Sequence, residues 1–208
     1  LTVRYSAQAE VGYMRTARLS GRNQNVRIDG ISFKIDADDD NTISFYNLTG
    51  LGAGEIYITN NYSHHTPAGT NGNGMNIDIF DIDDVDVYIY NNILINDGGA
   101  DAWNELLYLN DPDPTYYVYS NTLIATDNVR GLRFNTEADF YTYNNICKAA
   151  KRDCFSGYPQ QEFHNNISND DTAGNYGGSG NLINTNPKFM DEYNEDYHLD
   201  PSDNLHYI

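Results

Sequence analysis

The sequence predicts an all-β protein folded as a parallel β-helix, a solenoid of about seven stacked coils. Three observations lead to this prediction: one strand-and-turn block recurs along the chain, asparagine recurs at one position of that block, and helical periodicity is weak throughout. We therefore expect one domain over residues 1–208. Residues 1–25 would form its first coil or an N-terminal cover, and residues 182–208 its C-terminal coil and tail.

The repeated block alternates apolar and polar residues, is rich in β-branched and aromatic side chains, and turns at an asparagine. Six copies align, and the shared position carries Gly30, Asn61, Asn92, Asn121, Asn145 and Asn166. Amides stacked about 4.8 Å apart can donate to one neighbour and accept from the other, so this column predicts a buried asparagine ladder. Glycine and asparagine both tolerate a left-handed backbone at a corner, which places Gly30 in the same column.

A second strand-like piece follows each of the first five blocks, at 41–47, 75–81, 105–111, 131–137 and 152–158. Two or three short strands per repeat, joined by Gly, Asn and Asp turns, are typical of one coil of a solenoid.

Alternation within the block predicts which side chains face the core. If the asparagines point inward, so do the residues three positions earlier, which are Arg27, Ile58, Ile89, Val118, Thr142 and Phe163. Two outward columns then form a tyrosine face, which consists of Tyr57, Tyr88, Tyr117 and Tyr141 beside Tyr90, Tyr119 and Tyr143. This face could simply stabilise the sheet by ring stacking, serve as an interface for adhesion or assembly, or bind sugar rings.

The blocks and the tail at 186–203 resemble the right-handed parallel β-helix proteins of the pectate-lyase-like superfamily. In the tail, the ending N-P-x-F-x-D followed by D-Y-H-L-x-P is similar to that of secreted members. The resemblance covers most of the chain and implies a right-handed solenoid outside the cytoplasm. Polysaccharide lyases of this fold remove the proton next to a uronate carboxyl group with a Lys or Arg base, assisted by calcium. We expect about seven coils, fewer than those enzymes have, and the segment LTVRYS stands where their N-terminal capping helix would begin.

Two groups of charged residues could support such chemistry. A basic patch around Arg130, Arg133 and Lys151 offers a base, with an ordinary surface ion pair as the alternative. We expect a calcium site at an acidic group, because carboxylates that share a face repel each other until a cation binds. This group consists of Asp81, Asp83, Asp84 and Asp86. Solvated turn carboxylates are the simpler alternative for this acidic group.

Composition restricts partners and location. The formal net charge is −18, from 30 acidic and 12 basic residues, and a protein so acidic repels nucleic acid and anionic lipid. No apolar run is long enough for a transmembrane helix, so membrane insertion is not expected. Cys147 and Cys154 could form a disulfide within one coil or remain a buried free pair. An extracellular or cell-surface location is the resulting prediction.

The sequence leaves three functions open. The first is an extracellular structural or surface protein that uses the tyrosine face for adhesion or self-assembly, including head-to-tail stacking of copies. A calcium-dependent lyase acting on an acidic polysaccharide is the second, and a carbohydrate-binding module is the third. The expected partners are accordingly a polysaccharide or further copies of the chain.

Overall fold

The computed structural model describes residues 26–35, 43–48, 54–66, 75–82, 85–98, 104–158 and 161–203. In this part of the chain the fold is all-β, with two single-turn 3-10 helices at Thr172–Gly174 and Glu192–Asn194. The strands are β1 (Val26–Asp29), β2 (Ser32–Ile35), β3 (Ile43–Leu48), β4 (Glu55–Thr59), β5 (Tyr62–His65), β6 (Met75–Ile82), β7 (Asp86–Tyr90), β8 (Ile93–Asn96), β9 (Glu105–Leu109), β10 (Thr115–Tyr119), β11 (Thr122–Ala125), β12 (Arg130–Phe134), β13 (Asp139–Tyr143), β14 (Ile146–Ala149), β15 (Phe155–Gly157), β16 (Glu162–His164), β17 (Ile167–Ser168), β18 (Phe189–Asp191) and β19 (Asp196–Leu199).

Three parallel sheets contain β1 to β17. The first sheet has the order β1-β4-β7-β10-β13-β16, the second β2-β5-β8-β11-β14-β17, and the third β3-β6-β9-β12-β15. The chain therefore visits the sheets in the same order each time, and each strand from β1 to β14 pairs in parallel with the strand three later. This arrangement is consistent with a parallel β-solenoid. Each repeated block contributes two strands, one on either side of a corner, and the second strand-like pieces form the third sheet.

Asparagine side chains form a hydrogen-bonded ladder along the corner between the first and second sheets. The Nδ2 atoms of Asn61, Asn92, Asn121 and Asn145 each donate to the Oδ1 atom of the next asparagine at 3.0 Å, and the series ends at Asn166. Each of these four Nδ2 atoms also donates to a backbone carbonyl of the preceding coil. The five amides are at most 2% exposed, so the ladder satisfies polar groups that water cannot reach.

Asn181 continues the ladder by one position that the repeated blocks did not predict. Its Oδ1 accepts the backbone N–H of Asn166 at 3.0 Å, and its Nδ2 donates to the carbonyl of Phe163. The residue before it, Gly180, has a left-handed backbone with φ of 73°, as the residues before the other ladder asparagines do. A parallel bridge between Ile167 and Leu182 follows directly.

The predicted alignment of the first block was wrong by one residue. The left-handed residue at each corner is the one before the ladder asparagine: Asn60, Asn91, Ser120, Asn144 and Asn165 have φ of 54° to 56°. Gly30, with φ of 67°, occupies that position and not the ladder position. Arg27 consequently pairs with Tyr57 and is 56% exposed, whereas Ile28 takes the inward place beside Ile58. The other predicted inward residues are buried, at 1% exposure or less.

A disulfide joins Cys147 in β14 to Cys154, which immediately precedes β15, with the Cα atoms 5.6 Å apart. It spans the corner between the second and third sheets. Gly131 of β12 lies against it, because a Cβ at this position would come within 2.6 Å of the Cys147 Sγ and 2.3 Å of the Cys154 carbonyl oxygen. Only glycine fits this close approach.

The outer edge of β15 is capped by side chains. The backbone N–H of Cys154 donates to Asp170 Oδ2 at 2.8 Å, and the N–H of Phe155 donates to Thr172 Oγ1 at 3.0 Å. Above this edge the ring of Tyr176 packs on Phe134 and Phe163, with centroids 5.8 and 5.0 Å apart. The apolar core is thereby covered at this end.

The tail forms an antiparallel hairpin, β18 and β19, that folds back along the outer face of the second sheet. Phe189 of the hairpin is buried with Ile95 and Ile124, and Tyr197 and Leu199 pack around them. Two ion pairs hold the hairpin: Lys148 to Glu192 at 2.7 Å, and His64 to Glu195 at 3.4 Å. The tail thus covers the side of the stacked sheets.

Candidate functional site

The tyrosine face lies on the outer side of the first sheet, in the predicted register. Tyr57, Tyr88, Tyr117 and Tyr141 occupy equivalent positions on successive strands, and Tyr90, Tyr119 and Tyr143 do so two residues further along. In the first file the ring centroids are 4.9, 4.7 and 5.1 Å apart and the planes lie within 13° of parallel. In the second file, Tyr90 and Tyr119 stack at 4.7 Å.

Stacking determines which part of each ring a partner can reach. Tyr88 and Tyr117 have a neighbouring ring on both faces, and the guanidinium of Arg27 lies 6.0 Å from the ring centroid of Tyr57. The ring faces are therefore largely occupied by other rings, and solvent meets ring edges and hydroxyl groups. This geometry favours sheet stabilisation and edge-on hydrogen bonding, because a sugar ring stacks on the open face of an aromatic ring.

Carboxylates border the tyrosine face. Glu55, Asp86 and Asp139 stand one column away from the first tyrosine file. The hydroxyl of Tyr57 donates to Glu55 at 2.8 Å, and that of Tyr143 donates to Glu162 at 2.5 Å. Partial burial, together with nearby acidic and phenolic groups, raises the pKa of Tyr88 to about 12. The Tyr88 phenol consequently remains a protonated donor at neutral pH.

A second cluster lies on the third sheet, around a buried carboxylate. Glu105 has no exposed side-chain surface, and its Oε1 contacts Nη1 of Arg130 at 3.0 Å and Nη1 of Arg133 at 3.1 Å. Arg133 also lies over the ring of Tyr108, 5.4 Å from its centroid. Arg130 and Arg133 of the predicted basic patch are therefore brought together, by an acidic partner that the sequence analysis did not identify.

Asp78 lies on the same face, directly across from Tyr108 in the neighbouring strand. Burial, and secondarily the charge of Glu105, raises the pKa of Asp78 to about 6. Tyr108 separates Asp78 from Arg133, which occupies the equivalent position on the next strand. An acid with a raised pKa, a phenol and a guanidinium thus form one file across three strands. This is a combination that acid–base chemistry uses.

The three basic residues at positions 148–152 lie elsewhere. Lys151 is 65% exposed and pairs with Asp127 in a corner turn. Lys148 lies on the outer face of the second sheet, 2.7 Å from Glu192 of the tail. Arg152 donates to the side chain of Asn128. The structure does not gather these residues with Arg130 and Arg133 around one carboxylate.

The predicted calcium ligands fall mostly outside the described residues. Nothing is described for Asp83 and Asp84 or for the side chain of Asp81, while Asp86 borders the tyrosine face. Within the described ranges, three or more His, Cys, Asp or Glu side chains do not come together in a metal-binding arrangement.

Glu105 could have been found from the sequence by one signal. It is an acidic residue at the start of the apolar strand ELLYL, and Arg130 occupies the equivalent position of the next repeat. A charge in that position suggests a partner across the strands, because charged residues are rarely buried without one. Asp78 carried no comparable signal, since it stood among several aspartates.

A comparison of the chain with protein-family models, curated proteins and solved structures found no match. In the part of the chain that the structure describes, there is no helix of the length and apolar character that a membrane crossing requires.

Proposed function

We propose that this chain is an extracellular structural or surface protein that uses its tyrosine face for adhesion or self-assembly. The proposal rests on one observation: an ordered face of tyrosine edges and hydroxyls, bordered by carboxylates, on the outer side of a sheet. Tyrosine is enriched at protein interfaces because it combines a large apolar surface with a hydroxyl group. By contrast, the tail hairpin covers the outer face of the second sheet.

Further features support this proposal. The disulfide between Cys147 and Cys154 fits an oxidising compartment. We also propose right-handed winding, since parallel crossover connections are right-handed in about 98% of cases. A solenoid of about seven coils, related to the pectate-lyase-like superfamily, belongs to the same proposal.

The test compares association of the purified chain with that of two double variants. Tyr88→Phe with Tyr117→Phe keeps the ring stack and removes two hydroxyls, whereas Tyr88→Ala with Tyr117→Ala removes the rings as well. Light scattering after size exclusion measures self-association, and retention on polysaccharide gels measures adhesion. Both double variants should weaken whichever interaction the unmodified chain shows.

The matched control is Tyr193→Ala, which removes a tyrosine that is 93% exposed on the tail, away from the tyrosine face. It should leave association and retention unchanged. A chain that stays monomeric at high concentration and passes every polysaccharide gel without retention contradicts the proposal. Retention without self-association would instead favour a carbohydrate-binding module.

The file of Asp78, Tyr108 and Arg133 favours a second candidate, a polysaccharide lyase. In that reaction a base removes the proton next to a uronate carboxyl group and a carbon–carbon double bond forms as the bond to the leaving sugar oxygen breaks. That oxygen takes up a proton from water. Asp78 is the suitable proton acceptor above its pKa of about 6, and Arg133 could pair with the uronate carboxylate. Both arginines already pair with Glu105, which makes them poor bases.

Ultraviolet absorbance of unsaturated products, measured on alginate, pectate and glycosaminoglycans with and without calcium, tests this second candidate. Activity that disappears in Asp78→Asn and persists in Asp127→Asn would establish it. Absence of product on every substrate, with calcium present, would remove it.

A further inference from the structure

An open cleft of about 340 Å³ lies at the end of the third sheet, beside β15. Its lining consists of Asp153, Phe155, Ser156, Gly157, Asn175 and Tyr176. The volume lies at the lower end of the range of small-molecule sites. The cleft is separate from the tyrosine face, which belongs to the first sheet.

The lining combines one charge, aromatic surface and neutral polar groups. Asp153 is the only charged residue among the six, so in the described part of the chain the cleft has an acidic wall without a lining cation. Phe155 is 1% exposed and forms an apolar floor, and the ring of Tyr176 is held in place by Phe134 and Phe163. Tyr176 is thus a fixed aromatic wall next to a carboxylate.

Two hydroxyl groups of the lining can serve a ligand. The Oγ of Ser156 is shielded from solvent and has no hydrogen-bond partner among the described residues. Burial, and secondarily Asp153, raises the pKa of Tyr176, so its phenol stays a neutral hydrogen-bond donor. A buried hydroxyl without a partner is costly, and rotation of the Ser156 side chain toward a ligand hydroxyl in the cleft would satisfy it.

We propose that this cleft binds a small hydroxylated ammonium ion, such as a protonated amino sugar. The ammonium group would pair with Asp153 beside the ring of Tyr176, an arrangement that joins a charge-assisted hydrogen bond to a cation–π contact. The ligand hydroxyls would bind Ser156 and Asn175. A negatively charged sugar would be repelled by Asp153 and by the net charge of −18.

Three probes of the same ring size separate charge from hydroxyl recognition: glucosamine, glucose and glucuronate. Binding to the full chain is followed by calorimetry and by NMR shifts of the Tyr176 ring. Glucosamine should bind at least about tenfold more tightly than glucose, because only glucosamine offers a charge-assisted bond. Glucuronate should bind most weakly.

Variants locate the site. Asp153→Asn should weaken glucosamine binding about tenfold and make it resemble glucose binding. Tyr176→Phe should weaken it less, since the ring and its packing remain. Asp113→Asn is the matched control, because it makes the same change in net charge at an exposed turn outside the cleft.

Equal affinity for glucosamine and glucose, or equal loss in Asp153→Asn and Asp113→Asn, overturns the proposal. Absence of binding by all three probes overturns it as well. None of these outcomes bears on the tyrosine face, whose test uses other residues and other measurements.

Discussion

Gly131 lies so close to Cys147 that a single added carbon atom would meet the disulfide: an ideal Cβ at position 131 stands 2.6 Å from the Cys147 Sγ. The clash also involves the Cys154 carbonyl oxygen, which belongs to the backbone and cannot move alone. Close packing therefore couples β12 to the corner that the disulfide spans.

Gly131→Ala should lower the free energy of unfolding by about 1–3 kcal/mol, the usual cost of overpacking a tight core. Chemical denaturation measures this loss. Gly177→Ala is a control for the residue type, because the space around Gly177 is open, although its φ of 72° adds a strain of its own. Unchanged stability in Gly131→Ala would mean that β12 can move away from the disulfide.

Asn121→Ala should break the ladder in its middle. It removes the acceptor for two donors of Asn92 and the donor to the Ile89 carbonyl, all at buried sites. The Nδ2 of Asn92 keeps its bond to the Ile58 carbonyl, so two buried polar groups lose a partner. At about 1–3 kcal/mol each, a loss of about 2–6 kcal/mol in unfolding free energy is expected. Asn186→Ala, at an exposed position, should change stability little. Equal losses of unfolding free energy in the two variants would show that a ladder asparagine contributes no more to stability than an exposed one.

Glu105→Gln should destabilise the third sheet. The substitution keeps the shape of the side chain and leaves Arg130 and Arg133 without their shared carboxylate. Since both guanidiniums are about one-fifth exposed, water limits the loss to about 1–3 kcal/mol. Asp127→Asn removes the exposed pair with Lys151 and should cost at most about 0.5 kcal/mol. A larger loss in Asp127→Asn than in Glu105→Gln would contradict the ranking.

His64 should make tail docking depend on pH. Its imidazole lies 2.6 Å from Asp97 and 3.4 Å from Glu195, and a hydrogen bond to Asp97, opposed by burial, raises its pKa above 6.5. Because the folded-state pKa is raised, the stabilisation is fully present below pH 6.5 and is lost as pH rises through the folded value. Thermal unfolding across neutral to alkaline pH should show this loss in the unmodified chain and not in His64→Gln. Parallel pH curves for the two proteins would exclude a role for His64.

Asp78 should also make the folded chain less stable as pH rises, but the cause is burial and not a hydrogen bond. Its pKa of about 6 lies above the ordinary value of 3.8, because burial disfavours the ionised form. The folded state then holds the proton more tightly than the unfolded chain, so stability falls as pH rises from 3.8 to about 6. Asp78→Asn should flatten this part of the curve relative to the unmodified chain. A steeper curve in the variant would show that Asp78 is ionised in the folded protein at low pH.

Much of the fold could be predicted because period-two alternation and a repeated asparagine are local signals. The register of the tyrosine files followed from them directly. The predicted alignment of the first block was wrong because this block has a single turn residue, Gly30, where each of the other blocks has two. A one-residue slip exchanges the two faces of a strand, and an inward Arg27 beside an outward Ile28 was the sign of the error.

The sites were less predictable because they depend on contacts between coils. Glu105 meets Arg130 and Arg133 across 25 and 28 residues, and only the register brings them together. One feature of the sequence indicates that the outer face of the second sheet is covered, as it is by the tail hairpin. Ile95 follows Leu94, and Ile124 follows Leu123, and adjacent apolar residues indicate a strand that is buried on both faces.

Asp170 and Thr172 have a consequence for how copies of this chain can meet. Another strand could extend the third sheet beyond β15 only by displacing the two side chains that already bind its backbone. Continuous growth of that sheet from one molecule into the next is therefore discouraged at this end. Protection of this kind helps a strand-rich protein to avoid fibrous aggregation.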